Sequence, residues 1–282
     1  VGAAVGGNIA DYTEFDRKNY YYPDIPKGYQ ISQYEYPLVK GGELAGVAIT
    51  RIHLEEDTAT SKHRGEVSLI DFNRAGVPLM ELVTEPVIHD AETASAFARE
   101  LQLLLRTLGV GEANLEQGQM RVEVNISVSR DRTLGTKTEV KNISSFKSVE
   151  RAIAYEIDRQ IKTLESGGTL VQETRGFNEV TGETFSQRLK ESSHDYRYFP
   201  DTDVHKFKVS LVDEYSREAL TSALPELPWV RRARYIALGL TATDADTLVA
   251  DPVYSNFFES EVMPRLKGAQ IKTATNYLLT DV

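Results

Sequence analysis

Apolar residues recur along this chain with two different periods, and the change from one to the other predicts its organisation. From Leu44 to Glu56 the run is strand-like, with Arg51, His53 and Glu55 on one face and Thr50, Ile52, Leu54 and Glu56 on the other. Val67–Phe72 and Val77–Val83 read as further strands, separated by Asn73-Arg74-Ala75-Gly76. Met120–Ser129 turns Met120, Val122, Val124, Ile126 and Val128 to a core and Arg121, Glu123 and Asn125 the other way. Gly135–Ile143 is its expected partner, and Thr169–Phe177 with Glu183–Lys190 forms a hairpin around Thr181-Gly182. Two helices interrupt the strands. Asp90 caps the first, whose stripe is Phe97, Leu101, Leu104, Leu105 and Leu108 before Gly109. Ser144 or Ser145 caps the second, with Phe146, Val149, Ile153, Ile157, Ile161 and Leu164 on its stripe and Gly167-Gly168 at its end. Val1–Ile9 reads as an opening helix, and Phe15–Asp24 with Pro26 and Gly28 as an ordered loop.

After Phe207–Val212 only helical patterns remain: Asp213–Ala223, Pro228–Leu238, Asp244–Glu261 and Ala269–Leu279. The expected fold class is α+β, a sheet backed by helices over residues 1–205, then an all-α segment over 206–268, with 269–282 beginning a further domain. The chain starts at Val1 and stops in mid-pattern after Asn276, as a segment of a longer protein would.

Composition narrows the function. No apolar run reaches the length of a membrane span, and cysteine is absent, which removes disulfides, thiolate metal sites and a cysteine nucleophile. A cytoplasmic location is expected. The net charge of −10 argues against a simple electrostatic nucleic-acid clamp, while leaving room for local basic patches. No phosphate-binding glycine loop of the Walker type and no dinucleotide fingerprint occurs, so a nucleotide would need a sheet-lined cleft.

Three places carry candidate chemistry. Glu81 lies in the apolar strand Val77–Val83, where its carboxylate needs a cation or donors; either a metal or an ion pair, for instance with Arg74, meets that need. The strand end Arg51–Asp57 presents Glu55 and Glu56, which with Glu81 could hold Mg²⁺, or else form a solvated acidic turn. His53 alone reads as structural. Arg121, Glu123 and Asn125 face Lys137, Glu139 and Lys141 across the predicted strand pair; cross-strand ion pairs explain them, and so would phosphate binding. The aromatic run Tyr196-Arg197-Tyr198-Phe199-Pro200, entered through His194-Asp195, suits base stacking or a packed crossover equally.

The run Asp71-Phe72-Asn73-Arg74-Ala75-Gly76-Val77-Pro78-Leu79-Met80-Glu81 resembles the signature of the B-subunit family of aspartyl/glutamyl-tRNA amidotransferases. The resemblance continues through Phe15–Asp24, Tyr29–Gln33, Arg51–Asp57, Asn125–Ser127, Lys137–Phe146, Gln172–Arg175 and His194–Pro200, in order along essentially the whole chain. It implies a cradle domain of the glutamine synthetase and guanido kinase type. It also implies ATP- and Mg²⁺-dependent phosphorylation of the side-chain carboxylate of misacylated Glu-tRNA(Gln) or Asp-tRNA(Asn), then amidation by ammonia. The ammonia would come through a tunnel from a glutaminase A subunit, with a small C subunit joining the two. Nothing in this chain offers a glutaminase of its own, which agrees with an imported amine.

By the same resemblance Glu81 matches a metal-binding glutamate and the Glu55-Glu56 pair supplies a second, Glu56 being favoured. Lys18 and Lys27 match lysines near the ammonia exit and reaction site, with Arg74 beside them. On the strand-pair reading above, Arg121, Glu123, Asn125, Lys137 and Glu139 would line the nucleotide. Glu123 stands where the family usually has Asp, and Gly176 where it usually has Arg. The family's N-terminal strand, bearing a Glu-x-His pair of metal ligands, would precede Val1. An archaeal relative with an inserted synthetase-like domain is disfavoured by the short distance from Pro200 to Phe207. A non-catalytic tRNA-binding adaptor of the same fold is the alternative from another functional class.

Overall fold

A computed structural model describes residues 1–189 and 196–280 and has a mixed α+β architecture. Its residues sort into two compact units, Val1–Arg99 with Asn114–Ala223, and Glu100–Ala113 with the chain from Leu224 onward. The division expected near residue 205 therefore shifts. Residues 206–223 stay with the first unit, where β16 (Phe207–Lys208) pairs antiparallel with β2 (Tyr12–Thr13) and Arg217 donates to the Gly7 carbonyl at 2.9 Å.

The first unit has several small sheets rather than one. The longest strand, β7 (Val47–Glu56), lies between β5 (Val39–Lys40) and β10 (Pro78–Thr84), all antiparallel, and β1 (Asn8–Ile9) extends the sheet beyond β5. A short hairpin joins β6 (Glu43–Leu44) to β7 through Ala45 and Gly46 at φ 50° and 76°. Both central residues thus have the positive φ that matches strand twist in a two-residue turn. The predicted run from Leu44 is consequently a turn and then a strand.

Three other expectations change. Val1–Ile9 is not a helix but successive turns leading into β1, since Gly2, Gly6 and Gly7 are poor helix formers and a side chain at Gly2 or Gly7 would collide with Val39. The segment from Phe15 is not all loop: β3 (Asp16–Asn19) pairs with β4 (Tyr29–Ser32) and with β15 (Phe199–Pro200). A further hairpin, β8 (Thr60–Arg64) with β9 (Val67–Asp71), precedes the 3₁₀ turn Phe72–Arg74.

The second sheet runs β11 (Val122–Ile126), β12 (Thr138–Ile143), β13 (Glu173–Asn178), β14 (Glu183–Leu189), with β12 and β13 parallel. Helix α2 (Phe146–Glu165) backs it; Ser145 caps the helix by accepting from the Ser148 amide. Val149, Ala152 and Ile153 join Val140, Ile143 and Phe177 in the core. Helix α1 (Ala91–Thr107) begins at Asp90, whose carboxylate accepts from the Thr93 amide at 2.6 Å.

The last part of the first unit holds the 3₁₀ turn Asp213–Tyr215 and α3 (Arg217–Ser222), in place of the single helix expected over Asp213–Ala223. The second unit holds α4 (Pro228–Ala237), α5 (Ala242–Ala250), α6 (Pro252–Phe257) and α7 (Ala269–Thr280). The expected Asp244–Glu261 helix is broken at Asp251, held extended before Pro252 and capping α6. Ile271 and Leu278 of α7 lie in one core with Tyr235, Leu248 and Phe258, so residues 269–280 pack within this unit. Among the described residues no helix is long and apolar enough to cross a membrane. Asp281 and Val282 lie outside the described residues, as do residues 190–195 with His194 and Asp195.

Candidate active site

The β7–β10 register builds the site. His53 and Glu81 are direct partners, so their side chains share a face, and Glu55 follows two residues after His53 on that same face. One ligand atom from each of His53, Glu55 and Glu81 lies within 4.8 Å of the others. His53 Nε2 stands 3.3 Å from Glu55 Oε1 and 4.0 Å from Glu81 Oε1.

The neighbouring β3–β4 ribbon orients Glu55. Ser32 Oγ donates to Oε1 at 2.6 Å and Gln30 Nε2 to Oε2 at 3.0 Å, while Lys18 Nζ is 3.7 Å from Oε1. Burial pushes the Glu55 carboxyl up, but the His53 hydrogen bond, the Lys18 charge and the Ser32 hydroxyl outweigh it and hold it at about 2. Glu81 goes the other way: burial first, then the charge of Glu55, raise it, and His53 and Lys18 offset only part. Two carboxylates this close repel each other, and a cation between them relieves both. The donor set, two carboxylate oxygens with an imidazole nitrogen, suits a hard divalent ion such as Mg²⁺ or Mn²⁺. His53 Nδ1 is buried without a hydrogen-bond partner, so Nε2, facing Glu55 Oε1, is the ring nitrogen engaged by the protein.

Around the cluster stands an aromatic wall. Tyr34 and Tyr198 stack at 4.4 Å, Tyr196 meets Tyr198 and Tyr20 edge-on, and Lys18 Nζ lies 5.2 Å from the Tyr196 ring centre. Burial and the nearby Glu55 charge push the Tyr20 and Tyr198 hydroxyls up, so both stay protonated. Tyr196 and Tyr198 thus stand in an aromatic cluster with Tyr20 and Tyr34, whereas Phe199 is exposed and meets Arg17.

Glu56, favoured from the sequence as the second ligand, is engaged elsewhere. Lys27 Nζ reaches its two oxygens at 2.5 and 2.7 Å, and the Ile31 amide donates at 2.9 Å. The structure places Glu55 in the cluster and ties Glu56 to Lys27, because alternation along β7 sends the two side chains to opposite faces. Arg74 does not pair with Glu81. Its Nε lies 3.1 Å from Asp57, whose other oxygen accepts from Arg121 at 2.8 Å, so Asp57 gathers two guanidinium groups beside the strand end.

On the second sheet Glu123 pairs with Lys141 at 3.0 Å, Asn125 sits opposite Glu139, and Glu139 accepts from Thr174 at 3.0 Å. Lys137 immediately precedes β12. A side chain at Gly176 would stand 2.6 Å from the Phe185 ring and 2.7 Å from Gln187, so this position takes no Arg without rearrangement. Sequence reasoning missed His53 as a cluster member, Ser32 and Gln30 as its support, and Asp57 as the partner of Arg74 and Arg121. The face shared by His53 and Glu55 was visible; the register bringing Glu81 opposite was not.

Comparison with known proteins identifies the family. The family model described as the GatB/GatE catalytic domain matches residues 1–213. The chain is 45 % identical over 295 residues to the B subunit of the aspartyl/glutamyl-tRNA(Asn/Gln) amidotransferase of Coxiella burnetii, covering 100 % of this chain and 61 % of that protein. The corresponding B subunit of Persephonella marina is 44 % identical over 290 residues, and that of Thermus thermophilus 45 % over 284, each covering 99 % of this chain and 60 % of the relative. The chain therefore spans about three fifths of the length of these relatives. On the family model and on identity along its whole length, the chain belongs to the B-subunit family of the aspartyl/glutamyl-tRNA amidotransferases.

Proposed function

We propose that this chain carries the kinase and transamidation site of a tRNA-dependent amidotransferase. In this reading the side-chain carboxylate of misacylated Glu-tRNA(Gln) or Asp-tRNA(Asn) attacks the terminal phosphoryl group of ATP, forming a C–O–P linkage and releasing ADP. Ammonia then attacks the activated carbonyl carbon; a C–N bond forms, inorganic phosphate leaves and a proton is lost to base. The ammonia comes from a glutaminase A subunit, a C subunit completes the assembly, and the complex works in the cytoplasm on a cradle of the glutamine synthetase type.

The observation that supports this best is the convergence of His53, Glu55 and Glu81 beside Lys18 and the paired Arg74 and Arg121. Phosphoryl transfer to a carboxylate depends on positioning and on neutralising charge, and these are the groups that do both. His53, Glu55 and Glu81 would hold Mg²⁺, which neutralises phosphate charge when bound. Lys18 balances Glu55 and remains near the transferred oxygens. Arg121, Glu123, Asn125, Lys137 and Glu139 are the proposed nucleotide-side residues, and Lys27 acts indirectly, by neutralising Glu56 on the opposite face of β7. The tyrosine wall limits water, which would otherwise hydrolyse the activated acyl group.

The test is Glu81→Gln in the full amidotransferase complex. ADP release dependent on misacylated tRNA, and amidated tRNA formation, are expected to fall by about 100-fold or more, with glutaminase activity retained. Wild-type amidation by that variant would overturn the assignment. A wild-type complex that binds misacylated tRNA without releasing ADP would favour the adaptor reading instead.

A further inference from the structure

On the face of β7 that carries His53 and Glu55, the next residue towards the N-terminus is Arg51. In register it lies opposite Lys40 on β5 and opposite Val83 on β10, so the face runs from a carboxylate end to a cationic end. The neighbouring arginines of this unit are tied down: Arg17 to Asp201 at 2.7 Å, and Arg74 and Arg121 to Asp57. Arg51 differs. Its Nε is sealed from solvent and has no hydrogen-bond partner. Its charge acts on the Tyr198 hydroxyl, as do those of Glu55 and Glu81.

A shielded guanidinium N–H without an acceptor is destabilising, and beside a charged cluster an acceptor from outside the chain is one way to satisfy it. In a chain of net charge −10, acidic partners are plentiful, yet no carboxylate among the described residues accepts from the Arg51 Nε. Arg51 sits one strand repeat, about 7 Å, from His53. One oxyanion held between the cluster and this arginine spans such a gap.

We infer that Arg51 is an anion-docking residue, whose guanidinium receives a substrate oxyanion, a carboxylate or a phosphoryl group, beside the His53–Glu55–Glu81 cluster. The inference rests on the proposed reaction for its two sources: the side-chain carboxylate of the aminoacyl group, or a nucleotide phosphate that ADP retains. The planar fork of arginine matches both, and a lysine ammonium matches neither bidentately.

The experiment uses the full amidotransferase complex with Arg51→Ala and Arg51→Lys. Equilibrium dialysis measures Kd for ADP with Mg²⁺ and for a non-reactive 3′-glutamylamino-adenosine, and steady-state kinetics measures KM for Glu-tRNA(Gln). Arg51→Ala is expected to weaken one probe by about tenfold or more, with Arg51→Lys recovering only part and millimolar guanidinium chloride rescuing the Ala variant. Weakened ADP binding assigns the phosphoryl group. Unchanged ADP binding, with weaker binding of the glutamyl probe and a raised KM, assigns the carboxylate. Both probes within twofold of wild type would overturn the proposal. So would a loss that follows a lowered melting temperature and is not rescued by guanidinium, since that marks a structural role. Neither dialysis measurement requires turnover, so a wild-type complex that releases no ADP counts against the proposed reaction and leaves the Arg51 result readable.

Discussion

Adjacent carboxylates on one strand are not equivalent, and Glu55 and Glu56 show the physical reason. Glu55 is buried beside His53 and Lys18, whereas Glu56 forms a two-oxygen pair with Lys27 at the opposite face. Replacing Glu55 by Gln leaves His53, Ser32 and Lys18 without their anion, so activity of the full complex is expected to fall by about 100-fold or more. Glu56→Gln removes a partly exposed ion pair and is expected to cost less than about tenfold in activity and about 1 kcal/mol in stability. Parallel measurement of misacylated-tRNA-dependent ADP release and of thermal unfolding separates the two; equal losses would show that the cluster is wrongly drawn. Strand alternation already split Glu55 from Glu56 in the sequence. What it could not supply was the identity of the functional face, because a carboxylate facing a polar neighbour and one facing a metal look alike until the opposite strand is in register.

At the scale of elements, α2 shows where pattern and packing part. Its cap and its first two turns follow the sequence, with Val149 and Ile153 in the core. Further along, Ile161 and Leu164 are exposed while Glu156 and Gln160 are fully buried, so the apolar stripe drifts off the buried face. The polar residues are compensated: Glu156 accepts from Arg159, Gln160 and Thr184, and Arg175 lies 3.5 Å away. That network joins residues 28 apart in sequence, which no local period encodes. Burial raises the Glu156 carboxyl, but the Arg159, Gln160 and Thr184 hydrogen bonds bring it below its usual range. Its contribution to stability is therefore present above the unfolded value of about 4.3 and lost as pH falls through the depressed folded value. Glu156→Gln is expected to cost about 3 kcal/mol at neutral pH, and to flatten the acid limb of stability against pH. Denaturant unfolding from pH 7 to pH 3 checks it; an acid limb as steep as that of the wild type would place the titration elsewhere.

Along the sequence strands give way to helices, but the two compact units are set by contacts that this order does not encode. Residues 100–113 lie inside a continuous helical and loop pattern near the N-terminal strands, yet they group with the last fifth of the chain. In the second unit Arg232 binds Glu100 at 2.9 Å, and Leu103 packs against the core around Tyr235, Leu248 and Phe258. A hydrophobic stripe announces that a helix face will be buried without saying by which partner, and only contacts distant in sequence decide that. Two cores imply two cooperative transitions, because two-state behaviour belongs to single domains. Leu248 is completely buried in the second core and Val140 in the first. Leu248→Ala is expected to remove about 3 kcal/mol from the second unit, and Val140→Ala about 2 kcal/mol from the first. Scanning calorimetry of the 282-residue chain should then show each substitution lowering a different transition while leaving the other within about 1 °C. If either substitution moved both transitions together, the two cores would be one cooperative unit, and residues 100–113 would have to be counted with the strands that precede them.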